Sequence, residues 1–230
     1  MAKKCVSCIS GGVDSFSIAI LMSRRGYEIH PIVFNYKQKA AKEEQVVEKL
    51  CNKLNFMKPL KISIGGDVEK IWSGRQLIDR NVEIQQVFQP SIIVPIRNAI
   101  FVTIAASYAL NIGAEAVTYG GLIDDTDFPD SRPRVARIIE ELVKYAHPPA
   151  GFHKVRVISP ATEGLSKFEM IKIAYGIVGD LLFETWSCYA GGEKHCGECM
   201  SCLKRHEAFV KAGIIDKTEY LKQPKNLGGV

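Results

Sequence analysis

Short apolar runs alternate with amphipathic stretches along most of the chain, and the alternation predicts strand and helix in turn. Cys5-Val6-Ser7-Cys8-Ile9 is an apolar run of strand length. A glycine turn separates it from Phe16–Met22, whose apolar spacing predicts a helix, with Gly26 closing the following turn. Residues 28–34 read as the second strand, and Pro31 puts that strand near a start or a sheet edge. Residues 41–54 have helical spacing, with Val46, Val47, Leu50 and Leu54 on one face. Residues 60–64 are the third strand. Over residues 65–90 the apolar positions, among them Trp72, Leu77 and Ile78, keep no period. This predicts an irregular excursion, a lid or a partner surface, with Trp72 as packing.

The run Ile92-Ile93-Val94-Pro95-Ile96 delivers Arg97 and Asn98 immediately before a helix over 99–110, which Gly113 ends. Residues 115–121 form the fourth strand and its loop. That loop continues through an acidic stretch with Asp124, Asp125, Asp127 and Asp130. A helix over 134–145 and a fifth strand over 154–160 follow. Ser166 caps a helix over 167–178, and Glu169 completes a capping box. The whole predicts an α/β protein with a doubly wound, parallel, five-stranded sheet over residues 1–183 and a metal-binding tail over 184–230.

Bulk properties narrow this little. The 230 residues are 47% hydrophobic and 24% charged, which excludes broad disorder. A net charge of +5 permits anionic substrates such as nucleotides without demanding nucleic acid. The first apolar run is broken by the glycine turn and Asp14, so no signal peptide is expected. No uninterrupted apolar stretch of membrane-spanning length is expected either. A soluble cytoplasmic protein follows, in which seven cysteines are thiols or metal ligands rather than disulfides.

The first chemical signal is Ser10-Gly11-Gly12-Val13-Asp14-Ser15, between a strand and a helix start. The glycines remove blocking Cβ atoms, and the first helical N–H groups have no internal partner, so the turn suits phosphate. Ser10 and Ser15 add hydroxyl donors, and Asp14 suits a magnesium ion or an attacking group. The string lacks the G-K-[ST] of a P-loop and the G-x-G-x-x-G spacing. It matches the loop of ATP enzymes that release AMP and pyrophosphate. Arg97 and Asn98 suit a nucleotide or carboxylate, a carboxylate such as Asp130 suits an amidine-like base edge, and Arg132 suits an anion. Lys167, in a first helical turn where the dipole disfavours it, points to an anionic partner.

The second signal is Cys188-x7-Cys196-x2-Cys199-x2-Cys202. Four sulfurs at that spacing satisfy tetrahedral zinc and close the site, which makes it structural; an iron–sulfur cluster stays open as the alternative. His195 is redundant if all four bind. Cys5 and Cys8 sit three apart in a core strand and point to opposite faces, so with Cys51 they read as small buried apolar residues.

Together these segments resemble the 7-cyano-7-deazaguanine synthase family of the queuosine and archaeosine pathways. The resemblance spans nearly the whole chain, through residues 10–15, 34–38, 94–98, 128–132, 165–169 and the four tail cysteines. It implies a HUP-like fold, with ATP and Mg2+ at Ile9, Ser10, Gly11, Gly12, Val13, Asp14 and Ser15, and adenine against backbone near Phe34. It implies activation by Asp14, Ser15 and Lys167, substrate contacts from Arg97, Asn98, Asp130 and Arg132, and Zn2+ on Cys188, Cys196, Cys199 and Cys202. The implied reaction joins ammonia to a deazapurine carboxylate through an acyl-adenylate and an amide, ending in a nitrile. The partners implied are small molecules and a second copy of the chain, with no direct nucleic acid or membrane contact. The family usually carries Asp and Gly where this chain has Asn35 and Lys37, Gly where it has Ile96, and Tyr and Cys where it has Phe128 and Ser131.

Three other functions fit parts of the pattern. A divergent adenylating ligase on the same scaffold would act on another carboxylate. A tRNA-thiolating ATP enzyme would need metal-free thiols near the loop and an RNA-binding module. A noncatalytic zinc-dependent interaction element would leave Asp14 and the loop serines without a purpose.

Overall fold

In the computed structural model, residues 2–39, 42–146 and 154–225 are described. Chain order is β1 (Lys3–Cys8), α1 (Val13–Arg24), β2 (Tyr27–Asn35), α2 (Lys42–Lys53), β3 (Leu60–Ser63) and the single-turn α3 (Val68–Ile71). Then come α4 (Arg97–Ile112), β4 (Ala116–Thr118), α5 (Pro133–Ala146), β5 (Arg156–Ile158), α6 (Lys167–Val178) and α7 (Met200–Lys211). The five strands form one parallel sheet in the order β3-β2-β1-β4-β5. The α/β doubly wound sheet expected from the alternation is therefore present. The predicted start of α2 at Ala41 lies outside the described residues, as do residues 226–230 of the tail.

Both sheet faces are buried, as parallel strands require. Successive residues alternate between two apolar layers. Cys5, Val33, Ala116 and Ile158 join α1, α2, α6 and α7 on one face. Val6, Ile32, Val117 and Val157 join α4 and α5 on the other. Cys5 and Cys8 accordingly face opposite layers, and Cys51 is buried on the first. Burial pushes the Cys5 and Cys51 thiols up to about 12, so both stay protonated at neutral pH. The tail shares this core, because Ala208 and Phe209 of α7 pack with Phe16 and Met170.

One expectation needs correction. Pro31 is not at a strand start or a sheet edge; it sits mid-strand in β2, which is flanked by β1 and β3. The ladder tolerates it because Ile29 and Asn35 direct their carbonyls toward the β3 side, and Pro31 has the same parity. Its missing N–H falls just before β3 begins pairing, at Ile32 with Leu60. Pro90–Ile112 is long and apolar enough to cross a membrane by length and composition, although Arg97 and Asn98 interrupt its apolar run. Its apolar positions Phe101, Val102, Ala105, Ala106 and Ala109 pack in the second layer.

Residues 65–90 are mostly irregular, as expected, apart from α3. They are tied down by Trp72 and Ile78, both buried in the second layer, with Trp72 edge-on to Tyr36 at 6.1 Å. The sheet order reverses between β1 and β4. The crevice beyond the carboxyl ends of those two strands is where such sheets take ligands.

Candidate active site

β1 ends at Cys8, and the chain turns through residues 9–12 into α1. Gly11 turns at φ 91°, and Gly12 caps α1 from extended backbone without a side-chain bond to its first N–H groups. The Ser15 hydroxyl donates to the Gly12 carbonyl at 3.1 Å and accepts the Ser10 N–H at 3.2 Å, which stitches the loop closed. The loop of β4 comes very close. A Cβ on Gly120 would stand 2.9 Å from the Ser15 nitrogen, so only glycine fits there.

Lys167, at the start of α6, donates from Nζ to Asp14 Oδ2 at 2.6 Å. The capping box holds that helix start, with the Ser166 N–H on Glu169 Oε2 at 2.8 Å. Asp14 Oδ1 is buried with no hydrogen-bond partner. An orphaned carboxylate oxygen beside open helix donors fits a hard divalent cation carried by a polyphosphate.

These groups line a cavity of ≈ 240 Å3. Phe34 walls it, stacked on Phe101 at 4.2 Å. Arg97 enters from the first turn of α4 and donates to the Tyr36 hydroxyl at 3.1 Å, with its guanidinium over that ring at 5.7 Å. Cys8 also lines the cavity, but burial pushes its thiol well above the usual range, so it offers no thiolate. Burial likewise raises the Tyr119 phenol and the Asp125 carboxyl.

The fourth wall is the tail. Trp186, Ser187, Tyr189, Ser201 and Lys204 face the cavity, and the Trp186 N–H donates to the Gly11 carbonyl at 2.8 Å. Two residues on, Cys188 joins Cys196, Cys199 and Cys202, whose sulfurs all lie within 4.8 Å of one another. Backbone N–H groups point at these sulfurs: Cys196 to Cys188 at 3.4 Å, and Cys199 to Cys196 at 3.3 Å. Hydrogen bonds from the Cys199 and Cys202 thiols, with that backbone donor, hold the Cys188 thiol far below its usual range. Arg205, fully buried, braces the same segment through the hydroxyls of Thr185 (2.9 Å), Ser187 (3.0 Å) and Thr218 (2.9 Å).

The family model described as "Queuosine biosynthesis protein QueC" matches residues 4–213. The chain belongs to the QueC family. It is 34% identical to the 7-cyano-7-deazaguanine synthase of Thermoplasma acidophilum, over 96% of this chain and 94% of that protein. It is also 34% identical to the synthase of that name from Psychromonas ingrahamii, over 96% of this chain and 99% of that protein. The relative from Methanobrevibacter smithii is 33% identical over the same shares.

Within this QueC-family chain, the structure brings Ile9, Ser10, Gly12, Asp14, Ser15, Phe34, Arg97, Asn98 and Lys167 to one cavity. Val13 turns its side chain into the core, and Gly11 spends its carbonyl on Trp186. Arg97 and Asn98 form the first turn of α4 rather than preceding it. Asp130 and Arg132 are not among the residues that line the cavity. The Asp130 carboxylate accepts the Asn98 N–H at 2.8 Å and its side-chain amide at 3.2 Å, so it fastens the acidic loop to α4. Arg132 is exposed and reaches the Thr126 carbonyl at 3.5 Å. At both positions where the family usually carries glycine, Lys37 and Ile96 keep left-handed backbone, at φ 63° and 49°.

Sequence reasoning did not single out Gly120, Asp125, Trp186, Tyr189 and Lys204 as cavity residues. The glycine pair at the end of β4 was a usable signal for Gly120. The tail residues carried none, because only the docked tail brings them over the loop.

Proposed function

We propose that the protein uses ATP to convert 7-carboxy-7-deazaguanine and ammonia into 7-cyano-7-deazaguanine. The observation that supports this most is the Asp14–Lys167 pair at the phosphate loop, at the sheet's switch point, in a chain of the QueC family. A carboxylate is a poor acyl electrophile, and AMP is a good leaving group. The substrate carboxylate oxygen attacks the α-phosphorus of ATP, and the bond to pyrophosphate breaks. Ammonia then displaces AMP to give the amide. A second activation at the amide oxygen lets AMP leave again as the nitrile forms.

In this reading Ser10, the main chain of residues 11–15 and the Ser15 hydroxyl hold the departing pyrophosphate, where donors aimed at developing charge lower the barrier. Lys167 adds a cation beside it. Asp14 would hold Mg2+ through the oxygen left unpartnered by Lys167, and the ion would supply neutralisation of phosphate charge. Adenine lies against Ile9 and the backbone near Phe34. Arg97 and Asn98 meet the deazapurine carboxylate, while Asp130 positions Asn98. No step needs a protein nucleophile, which agrees with the protonated Cys8.

The four tail sulfurs fit one Zn2+. Tetrahedral bonds of about 2.3 Å separate sulfurs by about 3.8 Å, and Cys196–Cys202 stand at 3.8 Å and Cys199–Cys202 at 3.5 Å. Sulfurs so close leave room for a single ion rather than a multi-iron cluster. The protein acts in the cytoplasm as a homodimer on small molecules, without direct contact with nucleic acid.

The test is incubation with ATP, magnesium, ammonium and 7-carboxy-7-deazaguanine, with products followed by mass. Nitrile with AMP and pyrophosphate is expected. AMP and pyrophosphate without nitrile would overturn the assignment and leave an adenylating ligase for another carboxylate.

A further inference from the structure

A second cavity, of ≈ 280 Å3, abuts the first. The two share three side chains: Asp125, Lys167 and Lys204. Asp124, Glu207 and Lys211 complete the charged lining of the second. Most of these charges are already engaged. Glu207 accepts from Lys211 at 2.8 Å, Lys167 is on Asp14 at 2.6 Å, and Asp124 accepts the Lys167 main-chain N–H at 3.4 Å. Asp125 differs. Among the described residues its ion pair is a long one, to Lys204 Nζ at 3.8 Å, beyond hydrogen-bond range. Its carboxylate is 21% exposed and, with Asp14, is one of the two that line the main cavity.

Resting on the ligase reading above, we propose that Asp125 binds ammonium and takes its proton, and that the second cavity is the route by which ammonium reaches the activated carboxyl. Ammonium has no lone pair and must lose a proton before it can attack. One N–H bond breaks and an O–H bond forms on Asp125. The freed ammonia adds to the acyl-adenylate carbonyl, making the C–N bond. Collapse breaks the carboxyl C–O bond, and its electron pair leaves with AMP. The second nitrogen proton passes to the AMP phosphate, and Asp125 returns its own proton to water through the second cavity.

In the ligase reading ATP and the deazapurine occupy the first cavity, and the second cavity reaches Asp125 from another side. The second cavity has room for several waters, each taking about 30 Å3. Three carboxylates and three lysines line it, and among the described residues Asp125 has no cation at hydrogen-bond distance. The surroundings also suit a base. Burial raises the Asp125 carboxyl, opposed by Lys167 from α6 and Lys204 from α7, and assisted by Asp14 from α1 and Asp124 from its own loop. Glu207 and Lys211 of α7 face the same cavity.

The experiment compares wild type with Asp125→Asn and Asp125→Glu in three assays. These are pyrophosphate exchange into ATP with 7-carboxy-7-deazaguanine and no ammonium, amide formation from ammonium, and hydroxamate formation from hydroxylamine, a nucleophile that is largely neutral at neutral pH. Asp125→Asn is expected to lower kcat/KM for ammonium by roughly 100-fold, the scale of a lost general base. Exchange and hydroxamate formation should stay within about twofold, which also shows that the variant folds. Asp125→Glu should recover much of the ammonium rate. Equal loss with both nucleophiles, or no loss with ammonium, would overturn the assignment. Absence of exchange in the wild type would remove the ligase reading and this proposal with it.

Discussion

The Trp186 N–H donates to the carbonyl of Gly11 at 2.8 Å, so the phosphate loop is held from outside by the segment that leads into Cys188. Arg205 braces the same segment from the other side. The cysteine cluster is therefore linked to the glycine loop through a short path of main chain.

Loss of the metal should act on both. Cys196→Ser is expected to reduce bound zinc and to lower the melting temperature. A cost of about 3 kcal/mol is modest beside the ~10 kcal/mol or more of a structural zinc site. It corresponds to a fall of roughly 6–12 °C for a chain of this size. KM for ATP should rise as well. Unchanged zinc content and melting point would contradict a structural site.

Lys167 and Asp14 meet at 2.6 Å across 153 residues of sequence. Lys167→Met should reduce pyrophosphate exchange by roughly 100- to 1000-fold, the range for losing one preorganised electrostatic donor. The substitution also leaves the Asp14 carboxylate without its ion-pair partner, so the melting point should fall too, and exchange is compared at a temperature where both proteins are folded. A variant with near-normal exchange would remove Lys167 from the catalytic set.

Ile96 is 65% exposed and sits at φ 49°, ψ 19° at the N-cap of α4. A β-branched residue there is strained, since left-handed backbone costs about 1–2 kcal/mol. Glycine relieves that cost but loses roughly 0.5–1 kcal/mol to unfolded-chain entropy. Ile96→Gly should therefore stabilise by up to about 1.5 kcal/mol, raising the melting point by as much as roughly 6 °C. A lower melting point would show that the strain is relieved some other way.

Asp216, with its side chain 1% exposed, organises the end of the tail. Burial opposes its ionisation, but the Thr218 hydroxyl and N–H, His206 and the Tyr220 hydroxyl outweigh that and hold the carboxyl below its usual range. A depressed carboxyl stabilises the fold above its unfolded value, about 3.9, and loses that contribution as pH falls through the folded value. Asp216→Asn should flatten this acid limb in a series of melting curves. It should also cost about 3 kcal/mol at neutral pH by leaving donors unpaired. An unchanged acid limb would assign acid sensitivity to other groups.

What the sequence made legible followed from contiguity. Residues 10–15 are one string whose shape is local, and the four cysteines announce themselves by spacing. The alternation of apolar runs was enough for the sheet and its layers, because both faces of the central strands are buried. Pairings across the chain were not legible. Nothing near Lys167 says that its partner is Asp14. Asp130 looked like a ligand residue because a carboxylate beyond a strand is available in principle; the fold spends it on the N–H groups of Asn98. Nothing in the sequence near Trp186 says that its main-chain N–H meets the Gly11 carbonyl. Asp125 was one of several acidic loop residues, and only the position of α7 singles it out.

The central claim is that the phosphate loop activates a carboxylate by adenylation. The direct measurement uses 7-carboxy-7-deazaguanine labelled with 18O in the carboxylate, turned over with ATP, magnesium and ammonium. The acyl-adenylate account predicts that AMP carries 18O in its phosphate, because the substrate oxygen leaves with it. Unlabelled AMP, or label found in pyrophosphate instead, would contradict it.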